Sequence, residues 1–159
     1  MISPRSDQSS VIVALQSALS SVHILLYRLT GGILGSRFTW GVIGGLFGAG
    51  RILLLTTTER TSPQTNTAPL VYFQDGETLF VLAFYGGRTE QPSWYVNLKA
   101  NCRAEIQINA RHVAVTGTIA TTQERARLFA LFSPLTPNFA RFQRGSSREV
   151  PIVLLRAVS

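Results

Sequence analysis

One aspartate and one glycine, Asp75-Gly76, stand between two apolar, β-branched runs, Ala68 to Gln74 and Thr78 to Phe84. Such a pair supplies the backbone freedom that a tight hairpin turn demands, so the flanking runs are predicted to be antiparallel neighbours. That turn commits this part of the chain to an antiparallel sheet, and the other segments have to be read around it. Ile52 to Thr57 reads as a preceding strand. Ala104 to Ile108 and His112 to Ala120 alternate about a turn at Asn109-Ala110-Arg111 and make a second hairpin. Val150 to Arg156, apolar and β-branched, closes the chain as a sixth strand.

Between the strands the period lengthens. Pro92 to Ala100 is predicted to be a short helix, with Pro92 at its start and Trp94, Tyr95 and Leu98 spaced to pack inward. Thr122 to Phe132 is also helical. Thr122, three residues before Arg125, gives only half a capping box, although Glu124 suits the first turn. Pro134 and Pro137 interrupt this helix, and Asn138 to Gln143 makes a further short turn. Six strands with two or three helices argue an α+β domain whose antiparallel sheet closes into a barrel, spanning residues 51–159.

Residues 1–50 read differently. From Val11 to Tyr27 the apolar residues Leu15, Ala18, Leu19, Val22, Leu25 and Leu26 recur at three and four, the helical period. Gln8 to Tyr27 carries no formal charge and is long enough to span a bilayer, but Gln8, Ser9, Ser10, Gln16, Ser17, Ser20, Ser21 and His23 favour an amphipathic helix. Arg5 with Asp7, and the polar interruptions, disfavour a signal peptide. Residues 31–50 hold eight glycines among residues such as Phe38, Trp40, Ile43 and Phe47. That composition is too apolar for a solvated linker and too glycine-rich for a stable helix. This N-terminal helix and glycine-rich segment are expected to pack on the barrel, on a partner, or against a membrane surface through residues 8–50.

Composition narrows the function classes. A chain of 159 residues with 45% hydrophobic and 14% charged residues builds one core and is not disordered. Its net charge of +7 is almost wholly arginine, scattered along the chain, and Lys99 is the only lysine. Dispersed charge of this kind attracts anions but is not a nucleic-acid-binding arm. Cys102 is the single cysteine, which excludes an intrachain disulfide, a cysteine-based zinc site and an iron–sulfur cluster, and fits a reducing, cytoplasmic setting. It is expected to be a small buried residue. His23 and His112 have no second ligand at metal-binding spacing, so no metal is expected, and His112 in an alternating strand reads as a surface residue. No paired-carboxylate or Ser-His-Asp constellation stands out.

The stretch from Arg51 to Phe73, RILLLTTTERTSPQTNTAPLVYF, is rich in hydroxyls between its apolar ends. A strand ending in Thr56, Thr57 and Thr58 that turns through Arg60, Thr61 and Ser62 offers hydroxyl and N–H donors to a phosphate, with Arg60 as a bidentate charge. Threonines also favour strands and cap turns without any ligand, and locally the two readings weigh equally.

LLLTTT followed by Arg60 and Ser62, then TAPLVYFQDG, Gly86-Gly87, PSWYVNLKAN, QERARLF and REVPIVLL, with YRLTGG upstream, together resemble the deazaflavin-dependent nitroreductase family. The match runs in unbroken order over residues 24–156. The resemblance implies a split β-barrel related to FMN-binding proteins, usually a homodimer. It further implies hydride transfer from a reduced 5-deazaflavin, coenzyme F-420 (8-hydroxy-5-deazaflavin), to a small-molecule acceptor such as a quinone or nitro compound. The cofactor-binding residues it implies are Thr56, Thr57, Thr58, Arg60, Thr61, Ser62, Asn66, Pro69, Ala83, Tyr85, Gly86, Gly87, Pro92, Trp94 and Asn97. Phe84, Phe139 and Phe142 would border the substrate pocket, and Tyr85 and Tyr95 are the candidate proton donors.

The sequence departs from the family pattern where cations usually stand. Glu59, Thr61 and Pro63 interrupt the expected basic loop, Asn66 replaces an arginine, and Tyr85 replaces a lysine. Each charge-assisted contact contributes roughly 1.5 to 3 kcal/mol, so three losses bear on a polyanionic tail. Arg51, Arg88 and Lys99 are candidates to compensate. Two other readings stay open: a barrel that binds FMN, haem or fatty acid, and a membrane-associated quinone reductase.

Overall fold

The computed structural model describes residues 24–25, 51–84 and 90–159. The expectations for Tyr85, Gly86, Gly87 and Arg88, and nearly all of those for residues 1–50, fall outside the described residues. The described chain forms strands β1 (Arg51–Thr58), β2 (Thr65–Asp75) and β3 (Thr78–Leu82), then helix α1 (Ser93–Ala100). Strands β4 (Arg103–Ile108) and β5 (Arg111–Ile119) follow, then α2 (Thr122–Phe132), a 3₁₀ turn (Ser133–Leu135), α3 (Pro137–Gly145) and β6 (Ile152–Ala157). The strands close into an antiparallel barrel in the order β1-β2-β3-β6-β5-β4.

Both predicted hairpins are present. Asp75 pairs with Thr78 and Gly76 takes φ +59°, the left-handed conformation for which glycine lacks a steric penalty. Ile108 pairs with Arg111 across a turn in which Asn109 takes φ +54°. Strand β2 begins three residues before the expected Ala68, because Thr65, Asn66 and Thr67 pair with Thr58, Thr57 and Thr56. The hydroxyl of Thr56 meets that of Thr67 at 2.9 Å, so the ladder continues through the polar residues. At the other end of the hairpin, β3 stops at Leu82, two residues short of the expected Phe84.

Alternation along the strands divides the core in two. Leu53, Leu55, Tyr72, Val81, Ile106, Val115, Val153 and Leu155 fill the barrel, joined by Trp94, Tyr95 and Leu98 of α1. Phe73, Phe80, Leu82, Ile152 and Leu154 form a second cluster with Leu128 and Phe132 of α2 and Phe139 of α3, so these helices cover one side of the barrel. Phe80, Phe132 and Phe139 are almost fully buried, each contributing about 1.5–3 kcal/mol by transfer from water. The N-cap of α2 is Thr121, not Thr122. Its hydroxyl accepts from the Glu124 N–H while the Glu124 carboxylate accepts from the Thr121 N–H, so the capping box is complete. Cys102, expected in the core, is exposed, since it lies between α1 and β4 before the inward alternation of β4 begins.

Arg125 joins α2, α3 and the entry to β6. Its Nε donates to the Val150 carbonyl at 3.1 Å, its Nη2 donates to Gln143 Oε1 at 3.2 Å, and its Nη1 lies 3.3 Å from Glu149. Gln143 Oε1 also accepts from the Val150 N–H, and Gln143 Nε2 donates to the Arg148 carbonyl.

Candidate functional site

The threonine-rich loop, the N-terminal ends of β4 and β6 and the exit from β3 all lie at one end of the barrel, as the antiparallel pairings require. Helix α1 packs against that end. Its Leu98 presses on Gly117 of β5, where a Cβ would come within 3.0 Å of Leu98 Cδ1, so glycine permits the close approach.

Asn97 is the polar centre of this end. Its side chain is 7% exposed; Nδ2 donates to Thr57 Oγ1 at 3.1 Å and Oδ1 accepts from the Arg60 N–H at 3.3 Å. Thr57 Oγ1 in turn donates to the Asn66 carbonyl at 3.5 Å. One amide thus ties α1 to β1 and to the start of the loop. Trp94 and Pro92 are buried as well, so neither presents an open surface at this end.

Thr56 and Thr58 alternate with inward-facing Leu55 and Thr57, and Thr65, Thr67 and Pro69 lie opposite Thr58, Thr56 and Leu54. These residues form a hydroxyl-bearing strip on the outside of β1 and β2, while Thr57 and Asn66 share the inner register. Beyond the strip the loop folds on itself. The Glu59 N–H donates to the Gln64 carbonyl at 2.8 Å, the Ser62 hydroxyl donates to Glu59 Oε2 at 2.7 Å, and the Gln64 N–H donates to Ser62 Oγ at 3.3 Å. Ser62 therefore spends its proton on a carboxylate inside the loop. Arg60 and Thr61 are exposed.

The compensating cations separate. Arg51 stands at the far end of the eight-residue β1 from Thr58, roughly 23 Å away at about 3.3 Å per residue, so it belongs to the opposite mouth. Lys99 lies on α1, its Nζ 5.8 Å from the centre of the Tyr95 ring. Sequence reasoning missed Arg103, which is exposed at the start of β4, one residue before the Ala104 that pairs with Thr57. The signal was its place directly after the helix that faces the threonine loop.

Ala83 is 4% exposed and held by its N–H to the Pro151 carbonyl at 2.8 Å, which fixes the point where the chain leaves β3. Phe84 meets Phe139 edge-on at 5.6 Å and Phe142 at 5.2 Å, bringing the three predicted pocket aromatics together. Phe139 is 1% exposed and also packs on Phe132, so it belongs to the core, while Phe84 and Phe142 are half-buried. Tyr95 is 5% exposed; burial pushes its phenol above the ordinary range and the nearby Arg148 cation pulls it partly back. His112 is exposed, 2.9 Å from Glu105 across the β4–β5 pair. Among the described residues no group of three or more His, Cys, Asp or Glu side chains could hold a metal ion, and no helix is long and apolar enough to cross a membrane.

Among the described residues, a six-strand antiparallel barrel flanked by three helices is the split-barrel fold. A family model described as F420H(2)-dependent quinone reductase matches residues 27–157, and the chain belongs to that family. It is 33% identical over 140 residues to an F420H(2)-dependent quinone reductase of Mycobacterium tuberculosis (strain H37Rv), covering 86% of this chain and 89% of that protein. Among solved structures, an F420-H2 dependent reductase superposes with a TM-score of 0.60 at 27% identity, covering 66% of this chain and 93% of the other. A second, described as a domain-swapped dimer, has the same score and identity and covers 66% of this chain and 79% of its own. A Listeria innocua structure named after pyridoxamine 5′-phosphate oxidase shares the fold at 11% identity and a TM-score of 0.52, covering 76% of this chain and 94% of its own.

Proposed function

We propose that the protein passes a hydride from reduced coenzyme F420 to a quinone, using the barrel end organised by Asn97 as its coenzyme seat. The single observation that carries this placement is the Thr57–Asn97–Arg60 tie. It fixes helix, strand and loop relative to one another where the threonine strip ends and β3 departs. The residues fit the coenzyme in part: a strip of hydroxyls, the exposed Arg60 and a floor of buried Pro92 and Trp94 suit a phosphate-bearing planar ligand. Ser62 does not fit the role of phosphate donor, because Glu59 takes its proton.

The bound deazaflavin supplies the hydride chemistry, which demands no acid or base from the protein. The chain's own part is to orient and to exclude water. Asn97 holds the loop from which Arg60 projects, and the Phe84–Phe142 edge gives the acceptor an apolar wall. Arg60, with Arg103 and Lys99 at the same end, draws the anionic coenzyme in. By likeness to the structure described as a domain-swapped dimer we also propose a homodimer, and on the uncharged stretch from Gln8 to Tyr27 peripheral membrane contact through residues 8–50.

A second reading is favoured by the Glu59–Ser62 lock: the same seat takes FMN, whose tail carries one phosphate. Adding oxidised and reduced F420, FMN and haemin separately to the purified protein and following fluorescence or absorbance decides between them. F420 is expected to bind at micromolar concentration, and F420H2 to be oxidised only when a quinone is present. Failure of F420 to bind at that concentration overturns the proposal, and tight FMN binding in its place establishes the second reading.

A further inference from the structure

The mouth of the barrel opposite α1 holds a cavity of about 510 Å³. Its wall is Leu79 of β3, Ile108 of β4, Val113 and Val115 of β5 and Leu155 of β6, and its rim carries Glu77 and Arg111. This volume lies within the range of small-molecule sites, roughly 300–1,000 Å³. Leu79, Ile108 and Val113 are only half-buried against the barrel core, so their apolar surface faces this space. Water is a poor occupant of such a wall, because it finds no polar partners there. The filled barrel interior, with Leu55, Ile106 and Tyr95, separates the cavity from the Asn97 end.

We infer that this mouth is a second binding site, for the aliphatic chain of a long-chain carboxylate, with the head group at the β4–β5 side of the rim. The head-group assignment rests on charge. Arg111 follows the Asn109 turn, is exposed, and forms no ion pair among the described residues. Glu77 stands across the mouth on the β2–β3 turn, so a carboxylate is drawn to the Arg111 side and repelled from the other. Arg51, at the start of β1, adds a second cation to the same end, and the chain's net charge of +7 favours an anionic ligand over a cationic one. The site is independent of the coenzyme seat and stands whether or not that seat takes F420.

The full-length protein is titrated with palmitate and with the neutral 1-hexadecanol by calorimetry, with F420 binding followed in parallel. Palmitate is expected to bind one to one, and Arg111→Gln to weaken palmitate by up to about fivefold, the range for one rim-exposed charge pair, while leaving the alcohol unchanged. Val113→Phe and Ala157→Phe place an aromatic ring in the open cavity and are expected to abolish palmitate binding, with the melting temperature and F420 affinity unchanged. Palmitate binding that survives both ring-bearing variants overturns the site. Equal effects of Arg111→Gln on acid and alcohol overturn the head-group assignment. Absence of palmitate binding, together with a lower melting temperature in the ring-bearing variants, gives the space to another part of the chain and overturns the proposal.

Discussion

Asn97 on α1 donates its amide to the hydroxyl of Thr57 on β1, a buried hydrogen bond of 3.1 Å between residues 40 apart in sequence. With the Arg60 N–H on its other side, this amide is the only described side chain that bonds both β1 and its loop to the helix. Replacing Asn97 by alanine leaves the Arg60 N–H without that acceptor and removes the donor to Thr57. The expected cost is about 1–3 kcal/mol of stability, read as a lower denaturation midpoint, together with weakened F420 binding because the loop is no longer fixed. Asn97→Asp keeps an acceptor for Arg60 but loses the donor to Thr57, and its F420 binding is expected to fall between those of the parent and Asn97→Ala.

Arg60 itself is exposed and its guanidinium is in no ion pair among the described residues. Arg60→Ala is therefore expected to leave the melting temperature within about 2 °C, since surface changes of this kind cost under roughly 0.5 kcal/mol. Its F420 dissociation constant is expected to rise by about tenfold or more, the worth of one charge-assisted contact. An unfolded variant shows instead that Arg60 is structural. The same measurement on Arg103→Ala tests the cation that the structure adds at this end.

Gly117 tests the seat of α1. A Cβ there meets Leu98 at 3.0 and 3.1 Å, within reach of a small side-chain adjustment. Gly117→Ala is expected to change stability by less than about 1 kcal/mol, because strand entropy is regained as packing is strained. Gly117→Val adds branches that Leu98 cannot avoid and is expected to cost about 1–3 kcal/mol. Thermal melts of the two variants separate these outcomes.

Acid sensitivity follows from two carboxylates. The hydrogen bond and charge of Arg127 hold Asp75 below its ordinary value, and the Thr121 N–H and hydroxyl hold Glu124 below its own. A depressed folded pKa contributes stability that is present above the unfolded pKa and is lost as the pH falls through the folded one. The loss is therefore expected below about pH 4, and stability is expected to be flat with respect to these two groups at neutral pH. Asp75→Asn and Glu124→Gln are expected to lower the melting temperature at pH 7 and to flatten its decline in acid. An unchanged decline in the double variant refutes the assignment.

The β2–β3 and β4–β5 pairs are legible because Gly76 and Asn109 mark their turns locally. Closure of the barrel was legible only as a class: β1 meets β4 and β3 meets β6 over long stretches of chain, with no local signal for either pairing. The candidate site divides the same way. Thr56 to Thr58 and Arg60 announced a polar loop, but that Glu59 would take the Ser62 proton depends on the loop closing from Glu59 to Gln64, which residue types alone do not dictate. Asn97, a ligand contact by the family resemblance, has its amide bonded to partners far away in sequence, and no local pattern announces that. The cap falls on Thr121 rather than Thr122 because two adjacent threonines have equal propensity and only the carboxylate of Glu124 selects Thr121.

Tyr95 gives the sharpest test of how the acceptor obtains its proton. A good general acid has a pKa near the working pH, whereas burial drives the Tyr95 phenol upward and Arg148 only partly offsets it. Its ring packs edge-on against Trp94 at 6.1 Å and under Lys99, within the barrel core. Both facts argue that Tyr95 is a packing residue and that a reduced quinone is protonated from solvent. Tyr95→Phe preserves the ring and removes only the hydroxyl, so kcat for quinone reduction is expected to stay within about threefold of the parent. Direct donation from Tyr95 is instead marked by a fall of roughly 100-fold or more in kcat, the contribution typical of a positioned acid, with the melting temperature unmoved.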